Sequence, residues 1–195
     1  MKYVIEQDQD TENPRTLWDQ VGTILYTSSR YVLGDKQVRD ESYMQEICDD
    51  PQNVVFPVYA YIHGSVALSM SSFSCVWDSG QCGVIYVTRE KIRETYGCKR
   101  ITKRTLAKVE ALLRSEIETF SAYVSGEVYG YRVLDDDDKE VDSCWGFYGY
   151  KYVEDDAKMA LAACEKDAKR KANERRAEER AIRSALRASN KTFQS

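Results

Sequence analysis

The chain has 195 residues, 43% of them hydrophobic and 31% charged, and a formal net charge of −4. That length builds one good core plus an appendage, the composition is that of a soluble protein, and so mild a charge excludes a uniformly DNA-binding surface and a strong whole-protein nucleic-acid mimic. Met1–Asp10 has no apolar signal core, and no run nears the ~20 apolar residues that span a bilayer. A cytoplasmic location without membrane contact is expected, with the six cysteines reduced.

Residues 1–12 are acidic and polar and read as a flexible lead-in. The stretch around Trp18–Tyr26 turns apolar and β-branched, which fits a strand, and Gly34-Asp35 marks a turn. A short helix is expected around Ser42–Cys48, ending at Asp49-Asp50-Pro51. Val54–Ile62 reads as a strand, with Pro57 implying an edge position or a bulge. His63-Gly64 turns it into a second strand, Ser65–Met70, and Val84–Val87 makes a third, short one.

Thr88 is a good N-cap for a helix over Arg89–Tyr96, closed by Gly97. Thr102 caps a longer helix whose apolar positions, Leu106, Val109, Leu113, Ile117, Phe120 and Val124, step by three or four up to Gly126. Glu127–Leu134 and Glu140–Ser143 read as strands around the acidic turn Asp135–Lys139. The fold class is α+β: an antiparallel sheet with one long helix packed on a face, plus an extended C-terminal helix. The expected organisation is a lead-in (1–12), a globular domain (13–153) and a basic helix and tail (154–195). Asp155–Ala188 is rich in Ala, Lys, Arg and Glu without Gly or Pro, and no sustained heptad supports a coiled coil. From Ala157 onward the balance is +6, leaving −10 for the rest.

Two segments concentrate chemistry. Ser74–Gly83 packs thiols, a carboxylate, hydroxyls, an amide and an indole into ten residues, with two glycines to bend them. Asp142–Tyr150 repeats Asp, Ser-Cys, Trp and Gly. Polar groups beside Trp and Gly make poor core, so both are candidate site segments, expected to be neighbours in space.

Three chemistries compete there. Cys75 with His63, oriented by Asp78 or Asp142, would form a thiol nucleophile with its base. Against it, His63 is the only histidine and no protease signature is present. Cys75, Cys82, Cys144 and His63 would form a metal site only if three loops converged, because Cys75 and Cys82 are too loosely spaced for a zinc pair. Alternatively Trp77, Asp78, Ser79, Gln81, Asp142, Cys144, Trp145, Phe147 and Tyr148 would form a recognition pocket, for a protein or a nucleotide-like ligand. The bland reading pairs the two segments as adjacent strands with both Trp rings as core. No phosphate-binding glycine loop is present, and no cofactor or metal is expected.

Lys99, Arg100, Lys103 and Arg104 cluster at the start of the long helix, while Glu116 and Glu118 lie towards its other end, against the helix dipole. This basic patch would meet the Asp135–Asp138 run or an acidic partner. It and the C-terminal helix could each make weak nucleic-acid contact.

Across residues 13–150 the chain resembles a family of small, uncharacterised phage and mobile-element proteins. The resemblance rests on Asn13-Pro14-Arg15, Leu33-Gly34-Asp35, Phe73–Gln81, Val128-Tyr129-Gly130-Tyr131 and Val141–Gly149. The pattern has Pro in place of Val76 and an aliphatic residue in place of Cys82, which weakens a metal role for Cys82. The resemblance carries no established activity. It implies the gene of a mobile element, whose small accessory products often bind and inhibit host or defence proteins. A non-enzymatic binding protein is the expectation, with a cysteine-dependent enzyme as the alternative.

Overall fold

The computed structural model describes the backbone of residues 1–192 and the side chains within them except at residues 41 and 185–192. The architecture is α+β, with antiparallel sheets and a long C-terminal helix. The strands form two sheets rather than one, and the chain divides into two compact units. These cut across the expected 13–153 boundary.

The larger unit comprises residues 8–128 and 148–150. A single helical turn, α1 (Pro14–Leu17), precedes β2 (Thr23–Tyr26) and β3 (Lys36–Gln37); β1 belongs to the other unit. Then follow α2 (Glu41–Asp49), β4 (Asn53–His63), β5 (Ser65–Ser69), β6 (Ser79–Thr88), α3 (Arg89–Tyr96) and α4 (Lys103–Ser125). The sheet order is β3-β2-β6-β4-β5, antiparallel except for the two-residue β2–β3 pair.

α4 starts and stops where its sequence dictates. The Thr102 hydroxyl accepts from the Thr105 N–H, and Gly126 closes the helix in the left-handed region at φ 75°. Its stripe Val109, Leu113, Ile117 and Phe120 is buried against Ile24, Val58, Ala60, Leu68 and Ile85 of the sheet. Each such large side chain contributes about 1.5–3 kcal/mol by leaving water. The Leu68 N–H donates to the Ser121 hydroxyl at 2.8 Å, tying the edge strand β5 to the helix. A smaller cluster, Leu25, Val38 and Val84 with Tyr43, Met44 and Ile47 of α2, packs separately.

Pro57 satisfies both expectations for it. It faces Val84 of β6, β5 begins to pair only at Tyr59, and a bulge follows between Val58 and Tyr59. β6 is longer than the apolar run Val84–Val87, because β4 pairs with it down to Ser79. Gly83 makes the β2–β6 approach possible: a Cβ there would lie 1.9 Å from the Leu25 carbonyl oxygen.

The smaller unit contains residues 1–7, 129–147 and 151–195. β1 (Lys2–Gln7), β7 (Val128–Leu134) and β8 (Glu140–Tyr148) form a sheet of order β1-β7-β8, and α5 (Tyr150–Thr192) supplies its helix. Residues 2–7 are therefore not a loose lead-in. Their polar residues mask an alternation in which Tyr3 and Ile5 pack with Tyr131, Val133, Val153 and Ala157. The Met1 amine meets Asp136 at 2.7 Å and Lys2 meets Asp138 at 2.6 Å, so two carboxylates of the acidic turn hold the first two residues.

Candidate functional site

The Ser74–Gly83 segment is half loop and half strand: Ser79 opens β6, and the residues before it form the connection from β5. At the tip of that connection Val76 is 83% and Trp77 96% exposed. An indole so bare has no role in a core. Beside it lies a cleft of about 420 Å³, lined by Thr27, Ser28, Leu33, Ala60, Ile62 and the run Trp77–Cys82. Trp77, Asp78, Ser79 and Gln81, the first four expected binding residues, thus share one hollow.

Asp78 organises the loop. Its Oδ2 accepts from the Cys75 thiol, with Sγ at 3.6 Å, and lies 3.2 Å from His63 Nδ1. The Ser79 hydroxyl donates to the Cys75 carbonyl, tightening the same turn. Tyr61 stacks loosely between Phe73 and His63, with ring centroids 5.7 and 6.3 Å away.

The structure therefore brings His63, Cys75 and Asp78 together, but in the wrong order for a nucleophile. In a catalytic thiol relay the histidine stands between cysteine and carboxylate. Here the carboxylate stands between the other two, and no hydrogen bond joins Cys75 to His63. Asp78 offers the thiol an acceptor, not the positive field a nucleophilic cysteine needs. Cys82 is no substitute, since burial pushes its thiol up to about 11. Among the described residues no group of three or more His, Cys, Asp or Glu is arranged to hold a metal ion.

The second segment belongs to the other sheet. Asp142, Cys144, Trp145 and Phe147 belong to β8 of the smaller unit and β6 to the larger, so the two segments do not pair as adjacent strands. Their shared motif arises from different needs. The Trp145 ring covers Gly130, where a Cβ would meet it at 2.2 Å. Phe147 turns to the opposite face and packs on Tyr131 at 5.8 Å. Gly146, at φ 83°, breaks the strand alternation between them. Asp142 and Cys144 are exposed on this edge strand. Tyr148 belongs to the larger unit, where its hydroxyl donates to the Glu12 carbonyl at 2.7 Å and its ring meets Trp18 edge-on. Asp142, named as a possible orienting acid for Cys75, has no such hydrogen bond among the described residues.

A group that sequence reasoning missed is the Arg15 cluster. The Arg15 side chain is 3% exposed and forks onto Asp35, with Nε–Oδ1 2.9 Å and Nη2–Oδ2 2.6 Å. Its Nη1 donates to Glu116 at 2.9 Å and to Gln20 at 3.0 Å, and its Nη2 to the Gly22 carbonyl at 2.6 Å. Glu116 also accepts the Val21 N–H, and Asp35 the Ile24 N–H. Burial alone would pull the guanidinium pKa down, and hydrogen bonds to Asp35 and Glu116 raise it instead. The Asn13-Pro14-Arg15 and Leu33-Gly34-Asp35 blocks signalled it, and Glu116 completes it. What reads as an acid misplaced against the α4 dipole is half of a buried ion pair.

Lys99, Arg100, Lys103 and Arg104 are exposed, and none joins an ion pair among the described residues. Arg104 also lines a hollow with Tyr96, Cys98, Thr102, Thr105 and Lys108. On α5, Arg170 and Lys171 both pair with Asp167, and Arg170 also with Glu174. This internal pairing dilutes the helix's basic character. No described helix is long and apolar enough to cross a membrane. No family model, curated protein or solved structure matches the chain.

Proposed function

We propose that this protein is a non-enzymatic binding module whose recognition surface is the Val76-Trp77 loop tip and the cleft beside it. One observation carries the reading: Trp77 is 96% exposed at the lip of a hollow that Asp78, Ser79 and Gln81 furnish with polar groups. Tryptophan is the side chain most enriched at interface hot spots, and a fully solvated one gains most by being covered. The partner we assign is a protein of the host cell or its defence machinery, met by the product of a phage or mobile element. That assignment is supported by the resemblance in the sequence blocks.

The test is affinity capture from bacterial host cells with the wild-type chain and Trp77→Ala, each checked by thermal melting. The expected result is a stoichiometric protein held by the wild type and lost by Trp77→Ala, with both chains melting alike. Failure to capture a protein, or equal capture by both chains, would overturn the proposal.

A further inference from the structure

The cleft is also an interruption in the sheet. β2 pairs with β6 only from Thr23↔Tyr86 to Tyr26↔Gly83. The Thr27 N–H and hydroxyl then both reach the Cys82 carbonyl, at 2.9 and 3.2 Å, and seal the end of the ladder. Beyond that point the chain leaves through Ser28, while β6 runs on to Ser79 with β4 on its other side alone.

The direction of the exposed groups follows from the register. The Ile62 N–H donates to the Asp78 carbonyl at 2.8 Å, and Ala60 lies opposite Gly80. Asp78 and Gly80 thus turn their main-chain groups to β4. Alternation aims the N–H and C=O of Ser79 and Gln81 the other way, into the space where β2 would have continued. No described strand pairs with them there.

The surroundings fit a backbone. A Cβ built on Gly80 finds nothing within 4 Å, so the floor of the hollow is bare. Ile62 and Trp77 supply apolar surface for alternate side chains, with the buried Leu33 and Ala60 beneath. The only charged residue in the lining is Asp78, so the cleft favours a cation and disfavours phosphate or carboxylate.

From this the geometry points to strand addition: an extended segment of the partner protein, carrying a Lys or Arg, pairs antiparallel with Ser79–Gln81 in continuation of β2. Main-chain hydrogen bonds to Ser79 and Gln81 provide the affinity, Asp78 selects the basic side chain, and Trp77 closes over the strand. This inference rests on the binding reading above and names its partner's chemistry.

The experiment pans a random twelve-residue peptide display library on the full chain, then measures the best peptide with single N-methyl substitutions along its backbone. Two amides spaced two residues apart should each lose affinity about tenfold when methylated, with the amide between them unaffected. Gln81→Pro, which removes one of the two donors aimed at the partner, and Asp78→Asn should each weaken binding at least as much, without lowering the melting temperature. A library without a binder, a methyl scan without alternation, or indifference to Gln81→Pro overturns strand addition. Self-association abolished by Gln81→Pro also overturns it, and gives the edge to a second copy. Capture that needs Trp77 but tolerates Gln81→Pro defeats strand addition and leaves the binding surface standing, whereas capture indifferent to Trp77 defeats both.

Discussion

Arg15 and Asp78 each gather polar partners, and the difference between them separates scaffold from site. Around Arg15 every nitrogen has an acceptor, and both carboxylates take backbone N–H groups as well. Around Asp78 one oxygen serves both Cys75 and His63, and His63 is 70% exposed. The first cluster has spent its hydrogen-bonding capacity inside the molecule. The second still faces water, next to a tryptophan that nothing covers. Satisfaction, more than residue type, tells the two apart.

The sharpest way to break the comparison is Arg15→Ala. It leaves Asp35 and Glu116 facing each other without a cation and should cost about 3–5 kcal/mol in urea unfolding. If instead the loss is under about 1 kcal/mol, the cluster is no more than a surface-grade pairing.

Gly83→Ala ranks next. Its methyl would collide with the Leu25 carbonyl and force β2 from β6, for a loss of about 1–3 kcal/mol by chemical denaturation. Gly80→Ala, three residues away, should stay within about 0.5 kcal/mol of the wild type. Equal losses would show that the cleft floor is structural.

A smaller effect is pH-dependent. The Cys82 thiol is pushed up to about 11 by burial, whereas an unfolded thiol ionises near 8.5. The unfolded chain therefore loses its proton first, and stability falls as pH rises between those values. Below about 8.5 this contribution is fully present. Cys82→Ala should flatten that alkaline decline, and alkylation at pH 8 should spare Cys82 while modifying the exposed Cys144.

The smallest effect is itself diagnostic. Trp77→Ala and Asp78→Ala should each shift unfolding by less than about 0.5 kcal/mol, because neither side chain supports the core. A larger loss from either would move the loop from the site to the scaffold.

Periodicity alone made much of this legible. The α4 stripe, its Thr102 cap and its Gly126 stop can be read directly, because each uses a local rule that the fold does not override. The same holds for α3 and for the β4–β5 hairpin. β1 was hidden because its three apolar residues, Tyr3, Val4 and Ile5, run together between Lys2 and Glu6 without alternation, and its partner β7 lies more than a hundred residues away. The lower half of β6 looked like loop because its glycines serve close approach at Gly83 and an open floor at Gly80, which a sequence cannot distinguish.

At the site, Trp77, Asp78, Ser79 and Gln81 were legible as a group, since neighbours on one short segment meet whatever the topology. Ala60, Ile62, Leu33 and Thr27 were not, because they join the cleft only through strand register. The similarity of the two Trp-Cys segments does not give them one structural role. A tryptophan covering a glycine and one left bare are identical in letters.

The Arg15 fork has a dynamic consequence. It fastens the turn at Asp35 and the helix at Glu116, 20 and 101 residues along the chain, to one guanidinium. Opening any one of these attachments strands a charge in a poorly hydrated place, so fraying that is ordinarily gradual becomes all-or-none. The amides of Val21 and Ile24, which donate to those two carboxylates, should therefore exchange their hydrogens through one shared opening. The strand that stops short at the cleft is anchored at its far end to a cluster that resists piecemeal opening.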